Sequence, residues 1–174
     1  TSGGARWNYL AAWEYAKRKL GSDDKAKDFV AALYKNVPVL DTGARGSSIT
    51  FAQRNQGDVF ISWENEANLL EKEFGNKVDV VYPSVSILAE PAVTVVDKNV
   101  DKHGTRRVAE AFAKFLYTPT AQKLFVDNGF RPVTPEGKAY ARGKFQDVKF
   151  FRISDFGGWA AFDKKFFAKG GVWD

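Results

Sequence analysis

The sequence predicts an α/β protein with an open, mainly parallel sheet flanked by helices. Short β-branched runs alternate with longer runs of helical periodicity over residues 4–83. Beyond that region, helical runs follow one another almost without a break. At 174 residues, 44% of them hydrophobic, the chain is long enough to build a core without disulfides or a structural metal. The first half therefore predicts a sheet with helices on its faces, and the second half adds a helical segment.

In the first half, helix caps, glycine breaks and β-branched runs predict the helices and strands. Gly21 and Gly57 end helical patterns, and small polar residues open new ones. The predicted elements are, in chain order, a helix over 4–20, a helix opening at Ser22 or Asp23, a strand over 37–40, a short helix opening at Ser47 or Ser48 and ending near Asn55, a strand over 58–63, a helix over 64–74 and a strand over 78–83.

The second half is predicted to begin extended and to continue as helices. Residues 84–98 contain Pro91 and have a β-rich end around Val93 to Val96. Thr118 followed by Pro119 is a start signal, because Pro fits the first turn of a helix and Thr caps it. The predicted helices cover residues 105–117, 119–128, 135–141 and 158–168.

Composition argues against several classes of function. The net charge is +5, but the basic residues are scattered among acidic ones, as in EYAKRKLGSDDKAKDF, which argues against a nucleic-acid partner. One His and no Cys predict neither a metal site nor a cofactor. His103 lies in the polar run DKHGT, and no Ser stands in a nucleophile elbow, so no catalytic residue and no enzyme activity are expected. The printed chain shows no signal peptide pattern and no apolar run of about 18 residues.

Three clusters of hydrogen-bond donors precede predicted helices in the first half. They are Ser2-Gly3-Gly4, the run over residues 43–47, and Ser62-Trp63. The first turn of a helix leaves backbone amides without intrahelical partners, and glycine lets a ligand approach the backbone. In an open α/β sheet such turns gather at the carboxyl ends of the strands, where ligands bind. The pattern leaves two interpretations open, ordinary helix caps or a shared anion site.

Several ordered motifs resemble one protein family, the sulfate-binding proteins of bacterial ABC importers with their thiosulfate-binding relatives. Because the motifs run across the whole chain in order and with similar spacing, the resemblance is far more specific than any one of them. The resemblance implies a type II periplasmic-binding-protein fold of two α/β lobes closing on one dehydrated oxyanion, in the periplasm. The motifs are TSGGARWNYLAAW, NVPVLDTGARGSS, GDVFISWENEA, SILAEPAVTVVDK, FLYTPTAQKL, FRPVTPEG and FGGWAAFDKKFFAKGG.

The resemblance also implies a set of ligand residues. Ser2 would donate its hydroxyl to sulfate, and Trp63 its indole N–H. Arg45 would support the loop that presents an amide, without binding the anion. The backbone amide donors would be those of Gly3, Gly4 and Ala44.

A pocket that contains only donors suits sulfate better than phosphate. Sulfate is fully ionised at neutral pH, whereas phosphate keeps a proton that needs an acceptor; leaving it unpaired costs about 1–3 kcal/mol. Glu64, next to Trp63, is the one acceptor that would disturb this arrangement. We expect its carboxylate to point into the first turn of its own helix, where a negative charge is favourable.

The family resembled has a chain about twice as long. The resemblance divides these residues into a second, anion-binding lobe over 1–86, an interlobe crossover or hinge strand over 87–97, and a segment over 98–174 that returns to the first lobe. Either the remaining N-terminal lobe lies elsewhere, in the same protein or another chain, or the second lobe stands alone with the rest packed abnormally.

The implied partners are a tetrahedral dianion and a membrane ABC permease. The alternative function is an enzyme that holds a phosphate or sulfate ester at the same helix ends.

Overall fold

The structure is a computed structural model that describes residues 3–173. In this part of the chain, helices predominate. None of the described helices is both long and apolar enough to cross a lipid bilayer. In chain order the elements are α1 (Gly3–Leu20), α2 (Asp23–Lys35), α3 (Ala44–Ala52), α4 (Glu64–Phe74), a 3-10 turn (Gly75–Lys77), β1 (Val85–Ile87), α5 (Asp97–His103), α6 (Arg106–Phe115), α7 (Pro119–Asp127), α8 (Pro135–Tyr140), β2 (Lys149–Phe151), a 3-10 turn (Ile153–Phe156) and α9 (Gly158–Phe166).

The chain forms two compact units. Unit 1 consists of the described residues up to Ala89 together with those from Val148 onward, and unit 2 is Glu90–Asp147. Unit 1 therefore contains α1 to α4, both strands and α9, and unit 2 contains α5 to α8. The predicted division into residues 1–86, 87–97 and 98–174 refers to the lobes of a longer two-lobed protein, and it stays a prediction.

The predicted α/β class with an open parallel sheet is confirmed. In the described part of the chain, β1 and β2 pair in parallel, with Val85 opposite Lys149 and Ile87 opposite Phe151. The backbone N–H of Leu88 extends the pairing by donating to the carbonyl of Phe151 at 2.9 Å. This short sheet contacts α1, which places it beside the core of unit 1.

The predicted strands over residues 37–40, 58–63 and 78–83 are wrong, as is the β-rich end at 93–96. These segments have no regular secondary structure in the described chain. Their apolar side chains are largely exposed, with Val59 at 83% and Val81 at 85%. A β-branched run favours extended backbone, but a strand also needs a neighbour to accept its ladder hydrogen bonds. No described strand is paired with these segments.

The predicted start of α3 at Ser47 or Ser48 is also wrong. The helix begins at Ala44, with Gly43 as its N-cap, and it ends at Ala52 rather than near Asn55. The Ser47 hydroxyl donates to the carbonyl of Gly43 at 3.2 Å, and the Ser48 hydroxyl to that of Ala44 at 3.0 Å. Both serines thus form hydrogen bonds one turn back inside the helix instead of capping it.

The other predicted helices agree with the structure to within a few residues, and their caps explain why. Ser22 opens α2 by accepting from the amide of Lys25 at 3.2 Å. Thr118 opens α7 in the same way, accepting from the amide of Ala121 at 3.3 Å, with Pro119 in the first turn. Each cap satisfies an amide that the helix itself leaves unpaired.

The core of unit 1 lies where α1 faces α9. The α1 side chains of Tyr9, Leu10 and Trp13 are buried, as are Phe162 and Phe166 of α9. The rings of Trp13 and Phe166 meet edge to face, with centroids 4.8 Å apart. Aromatic rings thus fill the space between two helices that lie at opposite ends of the sequence.

Unit 2 has a buried amide side chain as its central polar contact. The Gln122 Nε2 donates to the carbonyl of Leu116 at 2.7 Å. Its Oε1 accepts from the backbone N–H groups of Val133 at 2.8 Å and Thr134 at 3.2 Å. An ideal Cβ on Gly137 would lie 2.8 Å from the Cβ of Pro132, so only glycine fits beside this contact.

High pH is expected to destabilise unit 1 through Tyr9. Burial, and to a smaller extent the neighbouring Tyr34, raises the pKa of the Tyr9 phenol from 10.0 to about 12. Below pH 10 the phenol is neutral in the folded and in the unfolded chain, so burying it does not require burying a charge. Between pH 10 and about 12 the unfolded chain loses this proton first, and stability falls as pH rises.

Urea unfolding at a series of pH values from 8 to about 12 measures this effect. In the Tyr9→Phe variant the free energy of unfolding should fall less steeply over the same pH interval, because the ionising phenol is gone. Tyr117→Phe is the matched control, since Tyr117 is exposed, and its curve should follow the parent. Identical slopes in the parent and Tyr9→Phe would contradict the assignment.

Candidate functional site

The predicted donors that the structure describes all lie where a helix begins. Gly3 and Gly4 open α1, Ala44 is the first residue of α3, and Trp63 is the N-cap of α4. The predicted Ser2 lies outside the described residues. All three helices belong to unit 1. Their first turns therefore present backbone amides that have no intrahelical acceptor.

The N-terminus of α3 is open and carries no side-chain cap. Gly43 caps it through the backbone only, and an ideal Cβ on Gly43 would meet nothing within 4 Å. The Gly43 carbonyl accepts from the Ser47 amide at 3.1 Å and from the Ser47 hydroxyl at 3.2 Å. This carbonyl and the Ala44 N–H belong to one peptide group, so the two bonds polarise the N–H. The N–H of Ala44 is therefore a strengthened donor, and it directly follows a glycine whose ideal Cβ would meet nothing within 4 Å.

The N-terminus of α4 is also without a side-chain cap. Trp63 at the N-cap has extended backbone and makes no capping bond through its side chain. Glu64 and Glu66 both lie in the first turn, where the helix dipole favours a carboxylate. The indole of Trp63 can only donate a hydrogen bond. The first turn of α4 thus offers amides and one side-chain donor.

A buried carboxylate joins the first turns of α3 and α4. The Glu66 Oε2 lies 3.1 Å from the Ser48 hydroxyl, and it shares the single proton of that hydroxyl with the carbonyl of Ala44 at 3.0 Å. The Glu66 Oε1 lies 3.4 Å from Nη2 of Arg45. The structure therefore brings the end of α3 that contains Ala44 to the end of α4 that contains Trp63. The sequence motifs did not indicate Glu66, because its partners lie on another helix.

The first two turns of α1 contact α9. Nη1 of Arg6 lies 2.6 Å from Oδ1 of Asp163, and the guanidinium of Arg6 lies over the ring of Phe167 at 5.0 Å. The rings of Trp7 and Trp159 meet edge to face at 4.7 Å. An ideal Cβ on Gly3 would meet nothing within 4 Å, so the backbone at the start of α1 is approachable. Side-chain contacts with α9 and with Phe167 therefore hold this end of α1.

The groups considered for catalysis have other surroundings in the described part of the chain. His103 is exposed in the last turn of α5. Across residues 3–173, no group of three or more His, Cys, Asp and Glu side chains is placed to hold a metal ion. The Ser47 hydroxyl is engaged with the Gly43 carbonyl rather than with a base. The geometry is suited to binding an anion.

Known proteins resemble this chain in sequence and in fold. The family described as bacterial extracellular solute-binding protein matches residues 1–131. Over its whole length the chain is 54% identical to the sulfate-binding protein of Escherichia coli, of which it covers 54%. It is 47% identical to the thiosulfate-binding protein of Pseudomonas aeruginosa, of which it covers 53%.

A solved structure gives the same comparison in three dimensions. The sulfate-binding protein SubI from Mycobacterium tuberculosis matches with a TM-score of 0.75 at 31% sequence identity. The match covers 96% of this chain and 57% of that one. The chain therefore spans about half the length of the relatives that it matches.

Proposed function

This chain belongs to the bacterial extracellular solute-binding proteins, and from that premise we propose that it binds sulfate or the related dianion thiosulfate. The proposed donors are the Ser2 hydroxyl, the amides of Gly3, Gly4 and Ala44, and the indole of Trp63. The protein would deliver the anion, outside the cytoplasm, to the membrane permease of an ABC importer. Closure of two lobes around the anion would accompany delivery.

One observation carries the proposal: two adjacent helices each begin without a side-chain cap. Neither Gly43 nor Trp63 supplies a side-chain acceptor for the amides that follow it. Contacts from Glu66 to α3 keep these two ends together. A side-chain cap normally satisfies such amides from within the protein, and without it they can donate to an anion from outside.

The charge at these helix ends supports sulfate as the ligand. Arg45 is the cation nearest to Ala44 in sequence, and it is paired with Glu66. The proposed ligand groups are then all neutral N–H and O–H donors, and the oxygens of a fully ionised tetrahedral dianion can accept from each of them. A protonated phosphate would meet a donor where it needs an acceptor.

The relatives are longer than this chain, and the additional length concerns whether the proposed anion site is complete. Because this chain covers about half of each relative, we propose that a further lobe, in the same protein or in another chain, faces these helix ends. That lobe would add donors and exclude water. We propose no covalent chemistry, since binding and release are all that delivery requires.

Calorimetric titration of the full-length protein with sulfate, thiosulfate and phosphate tests this function. Sulfate or thiosulfate is expected to bind about 5- to 150-fold more tightly than phosphate, since an unpaired proton costs about 1–3 kcal/mol. The Trp63→Phe variant removes one donor at similar shape. Its sulfate affinity should fall about 10- to 100-fold, because a hydrogen bond to a charged group contributes about 1.5–3 kcal/mol.

Trp173→Phe is the matched control, because it makes the same chemical change in the aromatic cluster around Tyr9 and Tyr34. Its sulfate affinity should equal that of the parent. Tighter binding of phosphate than of sulfate would overturn the donor-only site. Unchanged affinity in Trp63→Phe would remove Trp63 from it.

A further inference from the structure

We propose that Glu66 is a positioning residue for the anion site. It holds the first turn of α3 against the first turn of α4, and so sets the spacing between the Ala44 amide and the Trp63 indole. This inference rests on the proposed function, because it assigns Glu66 a role in arranging donors for the same anion. Glu66 itself does not touch the anion.

The burial of Glu66 requires partners for its charge. The residue is only 9% exposed, and an unpaired carboxylate in such a place would be strongly destabilising. Both of its oxygens have partners on α3: the buried Ser48 hydroxyl at 3.1 Å and the Arg45 guanidinium at 3.4 Å. The carboxylate of Glu66 thus has a described partner for each of its oxygens on α3.

The position of these contacts along the helices gives them their effect on the site. Arg45 follows Ala44 directly, and Ser48 lies on the same face of α3, three residues further on. Glu66 is the third residue of α4 and lies in the first turn, directly after the N-cap residue Trp63. The link therefore joins the two helices at the ends that carry the donors. Directional bonds to a charged group fix the relative register of two helices more narrowly than apolar contact does.

Glu66 also controls the charge next to the site. Its pairing with Arg45 neutralises a guanidinium that would otherwise stand free beside the Ala44 amide. Glu66 thus keeps the donor set both in place and neutral.

Two substitutions separate these contributions in the full-length protein, with sulfate as the probe. Glu66→Ala removes both contacts, and its sulfate affinity should fall about 10-fold or more, as expected for coupled neighbours. Glu66→Gln keeps an acceptor for Ser48 but loses the ion pair, so it should recover part of that affinity. Glu73→Ala is the matched control: Glu73 is an exposed glutamate in the last turn of α4, and its affinity should equal the parent's.

Two further readouts distinguish positioning from simple stability. Affinity is measured well below the thermal midpoint of each variant, so that a smaller folded fraction does not lower it. Trp63→Phe is then introduced into the Glu66→Ala variant. There it should reduce the sulfate affinity by a several-fold smaller factor than in the parent, because the indole donor is already misplaced. If Trp63→Phe lowers the sulfate affinity by the same factor in both backgrounds, Glu66 does not position the Trp63 indole.

The outcomes separate the inference from the function on which it rests. If the parent binds sulfate and both Glu66 variants bind it equally well, the inference alone is wrong. If the parent binds no sulfate or thiosulfate, the proposed function fails, and the inference with it. If Glu66→Ala does not fold, the near-isosteric Glu66→Gln decides, since unchanged affinity in that variant overturns the role of the ion pair.

Discussion

Replacing Phe166 by alanine is expected to lower the free energy of unfolding by about 3–5 kcal/mol, as for other buried Phe-to-Ala changes. The Phe166 side chain is 0% exposed at the centre of the α1–α9 contact. Its ring lies 4.8 Å from Trp13, 4.9 Å from Phe162 and 5.5 Å from Tyr9 between centroids. Rigid aromatic neighbours collapse poorly into a cavity, so the high end of the range is expected.

Urea unfolding monitored by tryptophan fluorescence measures this loss. Phe29→Ala is the matched control, because Phe29 is a partly exposed residue of α2 in the same unit. It should lower the free energy of unfolding by about 1 kcal/mol, the centre of the range for point changes, because only part of its ring is buried. Similar losses in the two variants would show that the packing of unit 1 does not centre on Phe166.

Replacing Gln122 by methionine is expected to destabilise unit 2 by about 2–4 kcal/mol, the cost of buried polar groups left unpaired. Methionine has a similar length and volume but cannot replace the three hydrogen bonds made by the amide. Water reaches the site poorly, since Gln122 is 2% exposed. The amides of Val133 and Thr134 and the carbonyl of Leu116 would lose their common partner.

Hydrogen exchange gives the local measurement. The amides of Val133 and Thr134 should exchange faster in Gln122→Met than in the parent, because their acceptor is gone. Gln146→Met is the control, since its side chain is exposed in the same unit and its exchange pattern should match the parent. Unaltered protection at Val133 and Thr134 in Gln122→Met would show that these bonds are dispensable.

Helices were the part of the fold that local sequence could predict. A cap acts within four residues, so Ser22 and the Thr118–Pro119 pair identify α2 and α7 without knowledge of the rest of the molecule. Helix α5 was missed for the same reason. Val96 stands at its N-cap and makes no capping bond through its side chain, so the local signal is absent.

Strands could not be predicted in this way, because their formation depends on distant partners. Residues 58–63 and 78–83 have the right composition, but the structure pairs 85–87 with 149–151 instead. Composition sets how well a residue suits a sheet, and it does not say which segment lies beside it. Strand β2 was missed because Lys149 and its neighbours pair with residues that precede unit 2.

The residues of the candidate site show the same difference between local signals and contacts with distant residues. The family resemblance, confirmed by the 54% identity to a sulfate-binding protein, indicated the donors of α1, α3 and α4. Their ligand roles stay predictions, although the structure does place Gly3, Ala44 and Trp63 at helix N-termini. Glu66 was not found because its bond to Ser48 joins residues that are 18 apart on different helices.

The interruption of unit 1 by unit 2 constrains how the molecule folds. The partner strands β1 and β2 are separated in sequence by all of residues 90–147, and the entropy lost on closing a loop grows with its length. Unit 2 is built from consecutive helices whose contacts are local, so it can form quickly. Once formed, unit 2 would shorten the effective tether between the two strands. We therefore expect early formation of the helical insert to speed the pairing that completes unit 1, and a variant that slows the folding of unit 2 to delay both.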